Sequence, residues 1–242
     1  MRVLRSLSDL SEYLRKTDCQ AGCFADTSFL YGLAYDDDRL FTIANDAHDL
    51  LAVSQVPIYA NVISRLELID LVFRKQVTAG CIEMFNAATS PSHGKEIYKL
   101  LKDIRDKVTA AIRKKESYKI DEGRLKRLRK NVDSEYGIKN WLDFCSKYVG
   151  SMLVNEWKIL EQEFGLNYVE VMEGQISPHF NSPLYWNDMV EVMATYGQRG
   201  PDAMIVNLFA KSHFPLLITG DSDLESCFAA KQADDKAIFL LQ

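Results

Sequence analysis

Residues 200–224 read GPDAMIVNLFAKSHFPLLITGDSDL. A Pro-Asp pair opens a segment spaced as a helix over Asp202 to Ala210. Pro215 to Thr219 follows as an apolar strand, which stops in Thr219-Gly220-Asp221-Ser222-Asp223. Buried strands of parallel sheets are runs of Leu, Ile and Val, and one that ends in carboxylates delivers them to the rim of its sheet. In open α/β sheets that rim, outside the carboxyl ends of the strands, is where ligands bind. Asp202, Asp221 and Asp223 are therefore candidates for one cleft, provided that other strands send acids there too.

Toward the amino terminus, Leu7 to Leu14 spaces as a short amphipathic helix. Cys23 to Ala25 is expected as a strand ending at Asp26, with Thr27 or Ser28 capping the next helix. Asp36-Asp37-Asp38 is read as helix capping, because consecutive acids point in different directions and suit the positive end of a helix. Ala44 to Val53 is a helix and Val56 to Ala60 a strand. After Asn61 a helix runs through Val62, Ile63, Leu66, Ile69, Leu71 and Phe73, with Glu67 embedded in the apolar stripe. A buried carboxylate without a partner is costly. On the residues alone, a Glu67 that faces water or pairs with Arg65 or Arg74 is the commoner arrangement.

Toward the carboxyl terminus, Asn167 to Met172 alternates as a strand, and Trp186 to Tyr196 is a helix that exits through Gly197 to Gly200. Leu224 to Lys231 is a helix and Ala237 to Leu241 a last strand. Strands alternating with helices predict an α/β fold, a doubly wound, mostly parallel sheet flanked by helices. Cys81 to Phe164 breaks the alternation. Ile97, Leu100, Leu101, Ile104, Val108 and Ile112 fall at helical spacing, as do Leu125, Leu128 and Val132, and an aromatic-rich helical stretch runs from Trp141 to Leu160. The expected organisation is one domain over 1–242, interrupted by a helical insertion at about 81–165, whose Trp and Tyr residues pack a core.

The chain is 47% hydrophobic and 26% charged, an ordinary globular composition. No apolar run approaches the roughly 18 residues of a membrane span. The opening MRVLRSLSDLSEYLRKTD breaks its apolar residues with charges and has no small-residue cleavage site, so no secretory leader is expected. Five scattered cysteines lack zinc-site spacing and fit reduced thiols in the cytoplasm. The net charge of −5 argues against a general nucleic-acid coat protein. From Lys102 to Lys130, however, twelve Lys and Arg stand against five Asp and Glu, a local excess of seven. Such a segment suits phosphate contacts and suits a solvated helix equally well.

Several chemistries are excluded. Gly220-Asp221-Ser222 suggests a serine hydrolase, but no histidine follows His213 and no GxSxG elbow is present. Aspartate-nucleophile phosphatases carry their Asp pair after the first strand. No Walker loop, GxGxxG or HExxH occurs, and the four histidines (48, 93, 179, 213) are isolated. Carboxylates remain, and clustered carboxylates without His or Cys select Mg²⁺ or Mn²⁺.

Four motifs in order resemble those of the PIN-domain nucleases: Asp26-Thr27-Ser28 after the first strand, Glu67 in VISRLELI, Pro201-Asp202-Ala203, and Thr219-Gly220-Asp221-Ser222-Asp223. The match covers roughly 20–80 and 166–242 and leaves the insertion outside it. The resemblance implies convergence of Asp26, Glu67, Asp202 and Asp221 as the catalytic set. Asp26, Asp202 and Asp221 would be ligands of Mg²⁺ or Mn²⁺, with Asp223 at the rim as a further ligand, and Thr27, Ser28 and Thr219 would support the carboxylates. It further implies an endoribonuclease acting on an RNA substrate and leaving 5′-phosphate and 3′-hydroxyl ends. A cognate inhibitor protein of antitoxin type and a homodimer are partners it leaves open; a membrane is not among them. Arg124, Lys126 and Arg127 of the basic segment are the candidate nucleic-acid contacts. Two other readings stand beside it: a PIN-like binding module for RNA or protein that has lost catalysis, and a structure-selective flap-type DNA nuclease.

Overall fold

A computed structural model describes residues 2–87, 95–114, 116–132, 136–170, 172–175, 177–230 and 235–242. His93 and Lys231 lie outside the described residues. The strands are β1 (Arg2–Leu4), β2 (Cys23–Ala25), β3 (Ile58–Asn61), β4 (Asn167–Val169), β5 (Leu216–Thr219) and β6 (Ala237–Leu240). The helices are α1 (Leu7–Lys16), α2 (Thr27–Ala34), α3 (Phe41–Val53), α4 (Val62–Ala87), α5 (Glu96–Lys114), α6 (Glu122–Asn131), α7 (Trp141–Tyr148), α8 (Gly150–Glu163), α9 (Trp186–Tyr196), α10 (Gly200–Lys211) and α11 (Ser222–Ala230).

The chain divides into two compact units, one formed by Met1–Asp36, Leu40–Leu68 and Gly165–Gln242, the other by Asp37–Arg39 and Ile69–Phe164. The first holds a six-stranded, all-parallel sheet in the order β1-β6-β5-β2-β3-β4. This is the α/β, doubly wound architecture that the alternation of strands and helices predicts. From β2 the chain moves outward to β3 and β4, then returns to place β5 on the other side of β2. The order therefore reverses between β2 and β5, the kind of switch point at which such sheets open a crevice. The backbone N–H of Asp26 donates to the Ile218 carbonyl at 3.0 Å, so the two carboxyl ends lie side by side.

Every residue of β2, β5 and β6 is buried, which is why these segments are continuous apolar runs. Phe24, Leu217 and Ile238 point to a cluster with Val206 and Phe209 of α10 and Phe228 of α11. The alternate residues Ala25, Ile218 and Phe239 are fully buried on the opposite face. Gly22 leads into β2 at φ +100, and a Cβ there would stand 2.7 Å from the Pro57 carbonyl oxygen, so the turn requires glycine. At the head of β6, the buried Lys236 ammonium donates to the carbonyls of Phe209 (2.9 Å), Ser212 (2.7 Å) and Phe214 (2.9 Å). Burial pushes this lysine down to about 8, while the three carbonyls favour its charged form.

The second unit is helical, with Val77 of α4, Ile97, Leu101 and Ile104 of α5, Leu128 of α6 and Phe144 of α7 in its core. Trp141 stacks on Phe144 at 5.3 Å between ring centres, in keeping with a packing role for the aromatic stretch. The expected insertion begins at Cys81, whereas the main segment of the helical unit begins at Ile69, two turns into α4. No glycine–proline break separates the two halves of this 26-residue helix, so no punctuation in the sequence marks the change of unit. β1 was not expected, since three residues are too short to show a period. The cap of α2 is Asp26 itself, not Thr27 or Ser28. The capping expected of Asp36-Asp37-Asp38 is also corrected. The residue before α3 is Leu40, with no side-chain cap bond, and Asp37 instead pairs with Lys75 at 2.6 Å. Among the described residues, no helix is long and apolar enough to cross a membrane.

Candidate functional site

Asp26 leaves the carboxyl end of β2 and is buried, 6% exposed. Its Oδ1 accepts the Thr27 backbone N–H at 2.7 Å; its Oδ2 accepts the Ser28 hydroxyl at 2.7 Å and the Thr219 hydroxyl at 2.8 Å. These bonds occupy three of a carboxylate's roughly four lone-pair positions. The hydroxyls are themselves held: Ser28 Oγ accepts the Gly220 N–H at 2.7 Å, and Thr219 Oγ1 accepts the Asp221 N–H at 3.0 Å. The ends of β2 and β5 are thereby joined by a chain of hydrogen bonds that fixes the Asp26 carboxylate and the backbone carrying Asp221. A Cβ on Gly220 would lie 2.6 Å from Leu40 Cδ1 and 3.3 Å from Ser28 Cβ, so a side chain there would require both neighbours to give.

Glu67 reaches the same rim from α4. Asn61, fully buried at the end of β3, accepts the N–H groups of Ile63 (2.6 Å) and Ser64 (2.8 Å) through Oδ1 and donates to Ser64 Oγ at 3.2 Å. It caps the helix and sets its phase. One turn later Glu67 Oε2 accepts the Thr27 hydroxyl at 2.7 Å. Glu67 thus bonds to neither of the arginines, 65 and 74, that sequence reasoning offered: Arg65 lies 4.1 Å over the Tyr168 ring, and Arg74 pairs with Asp70 at 2.7 Å. Asp202 stands in the first turn of α10, behind Pro201, and carries no side-chain hydrogen bond among the described residues. Asp221 Oδ1 accepts the Asp223 N–H at 2.8 Å at the head of α11, and Asp223 is exposed.

The electrostatics tie the set together. Burial raises the Asp26 carboxyl above the ordinary carboxylate range, its three hydrogen bonds hold it back, and the Asp221 charge raises it further. Glu67 is raised by burial and by the charges of Asp26 and Asp202, against the Thr27 bond and Arg199. Asp202 is raised by burial, by Asp221 and Asp26 and, more weakly, by Asp223; Arg199 opposes them. Like charges that feel one another in this way disfavour joint ionisation. Asp26, Glu67, Asp202 and Asp221 therefore share one electrostatic environment, with Asp223 at its margin.

The donor set is all oxygen, which fits a hard cation such as Mg²⁺ or Mn²⁺, and one lone-pair position of Asp26 remains for it. Among the described residues, no three His, Cys, Asp or Glu side chains are gathered closely enough to hold one ion between them. Unneutralised carboxylates repel one another, which opposes such a gathering. Sequence reasoning missed Asn61, although Asn61-x-x-Ser64 ahead of an apolar helix is a capping pattern. It also missed Arg199, for which three residues' distance from Asp202 is no signal.

In the helical unit, Arg124 pairs with Asp103 at 2.6 Å and with Asp121. Arg127 pairs with Glu96, and Lys126 with Glu122 at 3.4 Å. Each of the three candidate nucleic-acid contacts thus has a carboxylate beside it, and Arg124, with two, is a structural tie between α5 and α6. No protein-family model, curated protein or solved structure matches the chain.

Proposed function

We propose that the chain is a metal-dependent endoribonuclease that hydrolyses RNA phosphodiester bonds with Mg²⁺ or Mn²⁺ held by carboxylates. One observation carries this reading: a buried Asp26, fixed by three hydrogen bonds at a sheet switch point, feels the charge of Asp221 from the neighbouring strand, and its own charge is felt by Glu67 on α4 and by Asp202 at the start of α10. Carboxylates held within range of one another's charge are a functional signature, because burial and like charge both cost stability.

A divalent ion bound there supplies Lewis-acid polarisation of the phosphate and a lower pKa for an attacking water. Asp26 and Asp221 would hold it from the paired strand ends, with Asp202 and the more exposed Asp223 completing the oxygen shell. Glu67, raised by its surroundings and oriented by Thr27, would accept a proton from the attacking water. Ser28 and Thr219 orient Asp26, and Arg199 offers a positive charge to a phosphate that approaches Glu67 and Asp202.

The test is incubation of end-labelled single-stranded RNAs, with DNAs of the same sequence, in Mn²⁺ or Mg²⁺. The wild-type chain should cut RNA internally and leave 5′-phosphates, and Asp26→Asn should slow it by about a hundredfold or more. Equal cleavage by the two proteins, or none by the wild type across varied RNAs, sinks the proposal.

A further inference from the structure

Beside the carboxylates, the sheet-bearing unit has an apolar pocket of about 60 Å³, lined by Ile63 of α4, Met204 of α10, and Leu184, Tyr185 and Trp186 at the head of α9. Among the described residues, its one charged lining group is Glu173. Tyr185 and Trp186 are 48% and 52% exposed, a large aromatic area left open to solvent. Glu173 is tied to this wall: its Oε1 accepts the Trp186 N–H at 3.1 Å, and the neighbouring Gly174 N–H donates to the Leu184 carbonyl at 2.9 Å. Two exposed aromatic side chains thus line the same pocket as a carboxylate that is held by the backbone of Trp186.

The pocket shares its helices with the acids. Ile63 precedes Glu67 by four residues and so lies on the same face of α4, about 6 Å along the axis. Six ångströms is between one and two stacked nucleotide steps of ~3.4 Å. A strand whose phosphate lies at Glu67 thus carries a neighbouring base toward Ile63 and the pocket it lines.

We infer that this pocket takes a guanine base of the substrate strand, stacked on Trp186 and Tyr185 and read by the Glu173 carboxylate. The inference rests on the ribonuclease reading for its class of ligand. Base selection follows from donor chemistry. An ionised carboxylate only accepts hydrogen bonds. Guanine presents two adjacent donors, N1–H and the 2-amino group, to its two oxygens. Adenine and cytosine place a ring-nitrogen acceptor beside their amino group, and uracil flanks its single N–H with carbonyls, so each sets a lone pair against the carboxylate. Stacking accepts any base, and Glu173 supplies the choice.

The test uses the full chain with the fluorescent RNA pentamers UUGUU, UUAUU and UUCUU. Binding is read by anisotropy in Ca²⁺, and hydrolysis of the same strands is followed separately in Mn²⁺. UUGUU should bind about tenfold tighter than the other two. Glu173→Gln should erase that preference, and Trp186→Ala should weaken all three by about tenfold or more. Equal affinities, a preference that survives Glu173→Gln, absence of binding, or displacement of every pentamer by an arginine-rich peptide at a lower concentration than by unlabelled UUGUU would overturn the inference. Guanine-selective binding without hydrolysis keeps the pocket and removes the ribonuclease reading. Hydrolysis without guanine preference does the reverse.

Discussion

At the scale of single residues, the carboxylates oppose the stability of the fold that carries them. Asp26, Glu67 and Asp202 have folded pKa values above their ordinary ones, so between the two values the folded state holds more protons than the unfolded chain. The sign follows: their contribution is most favourable below about 4 and is lost as pH rises through the raised values. Asp202→Asn removes one charge without breaking a hydrogen bond. With divalent metal chelated, the variant should melt at a slightly higher temperature than wild type, by a gain of at most about 1 kcal/mol, and the difference should grow with pH. A variant that melts below wild type at pH 7 would refute this account of the cluster. Gly220→Ala tests the positioning of the acids: Leu40 must shift and Ser28 must give, so a stability loss of about 1–2 kcal/mol should accompany a loss of cleavage. Thermal melts and initial rates on the same preparation check both.

Single elements owe their placement to polar ties that periodicity cannot display. Lys236 joins the head of β6 to the end of α10 through three carbonyls. Lys236→Met should cost about 2–4 kcal/mol in urea denaturation, since three buried acceptors lose their donor together. Arg124 does comparable work at the surface of the helical unit. Arg124→Ala should lose about 1–2 kcal/mol, whereas Lys126→Ala, with one long contact between exposed groups, should stay within about 0.5 kcal/mol of wild type. The charge excess between Lys102 and Lys130 falls on α5, α6 and the link between them, and which of its cations are engaged could not be read from the sequence. Asp103 and Glu96 reach them from α5, 21 and 31 residues back along the chain, whereas Asp121 is a neighbour in the sequence. The same holds for Asp37, whose partner Lys75 lies on α4, 38 residues along the chain.

For the whole molecule, ligand binding should restore what the acids cost. A cation that binds only the folded state stabilises it by about 2.7 kcal/mol at a hundred times its dissociation constant. Titrating Mn²⁺ into the chelated protein should therefore raise its melting temperature progressively, and Asp26→Asn should flatten the response; identical responses would remove the metal site.

The sequence by itself determined the alternation of strands and helices, the parallel α/β class and the four acid-bearing positions. It could do so because continuous apolar runs bounded by Asp, Gly and Pro are local signals. The strand carrying Leu216–Thr219 and its following Gly-Asp-Ser-Asp lies where that pattern places it. Tertiary structure decided the rest. The order β1-β6-β5-β2-β3-β4 sets β5 beside β2, and only that adjacency lets Thr219 bond Asp26 across 193 residues. It also decided that Glu67 turns inward to Thr27, that Asp26 and not its neighbours caps α2, and that the main segment of the helical unit begins inside α4 at Ile69. A carboxylate's partners are chosen by whichever donors the fold brings within about 3 Å, and sequence distance carries no record of that choice.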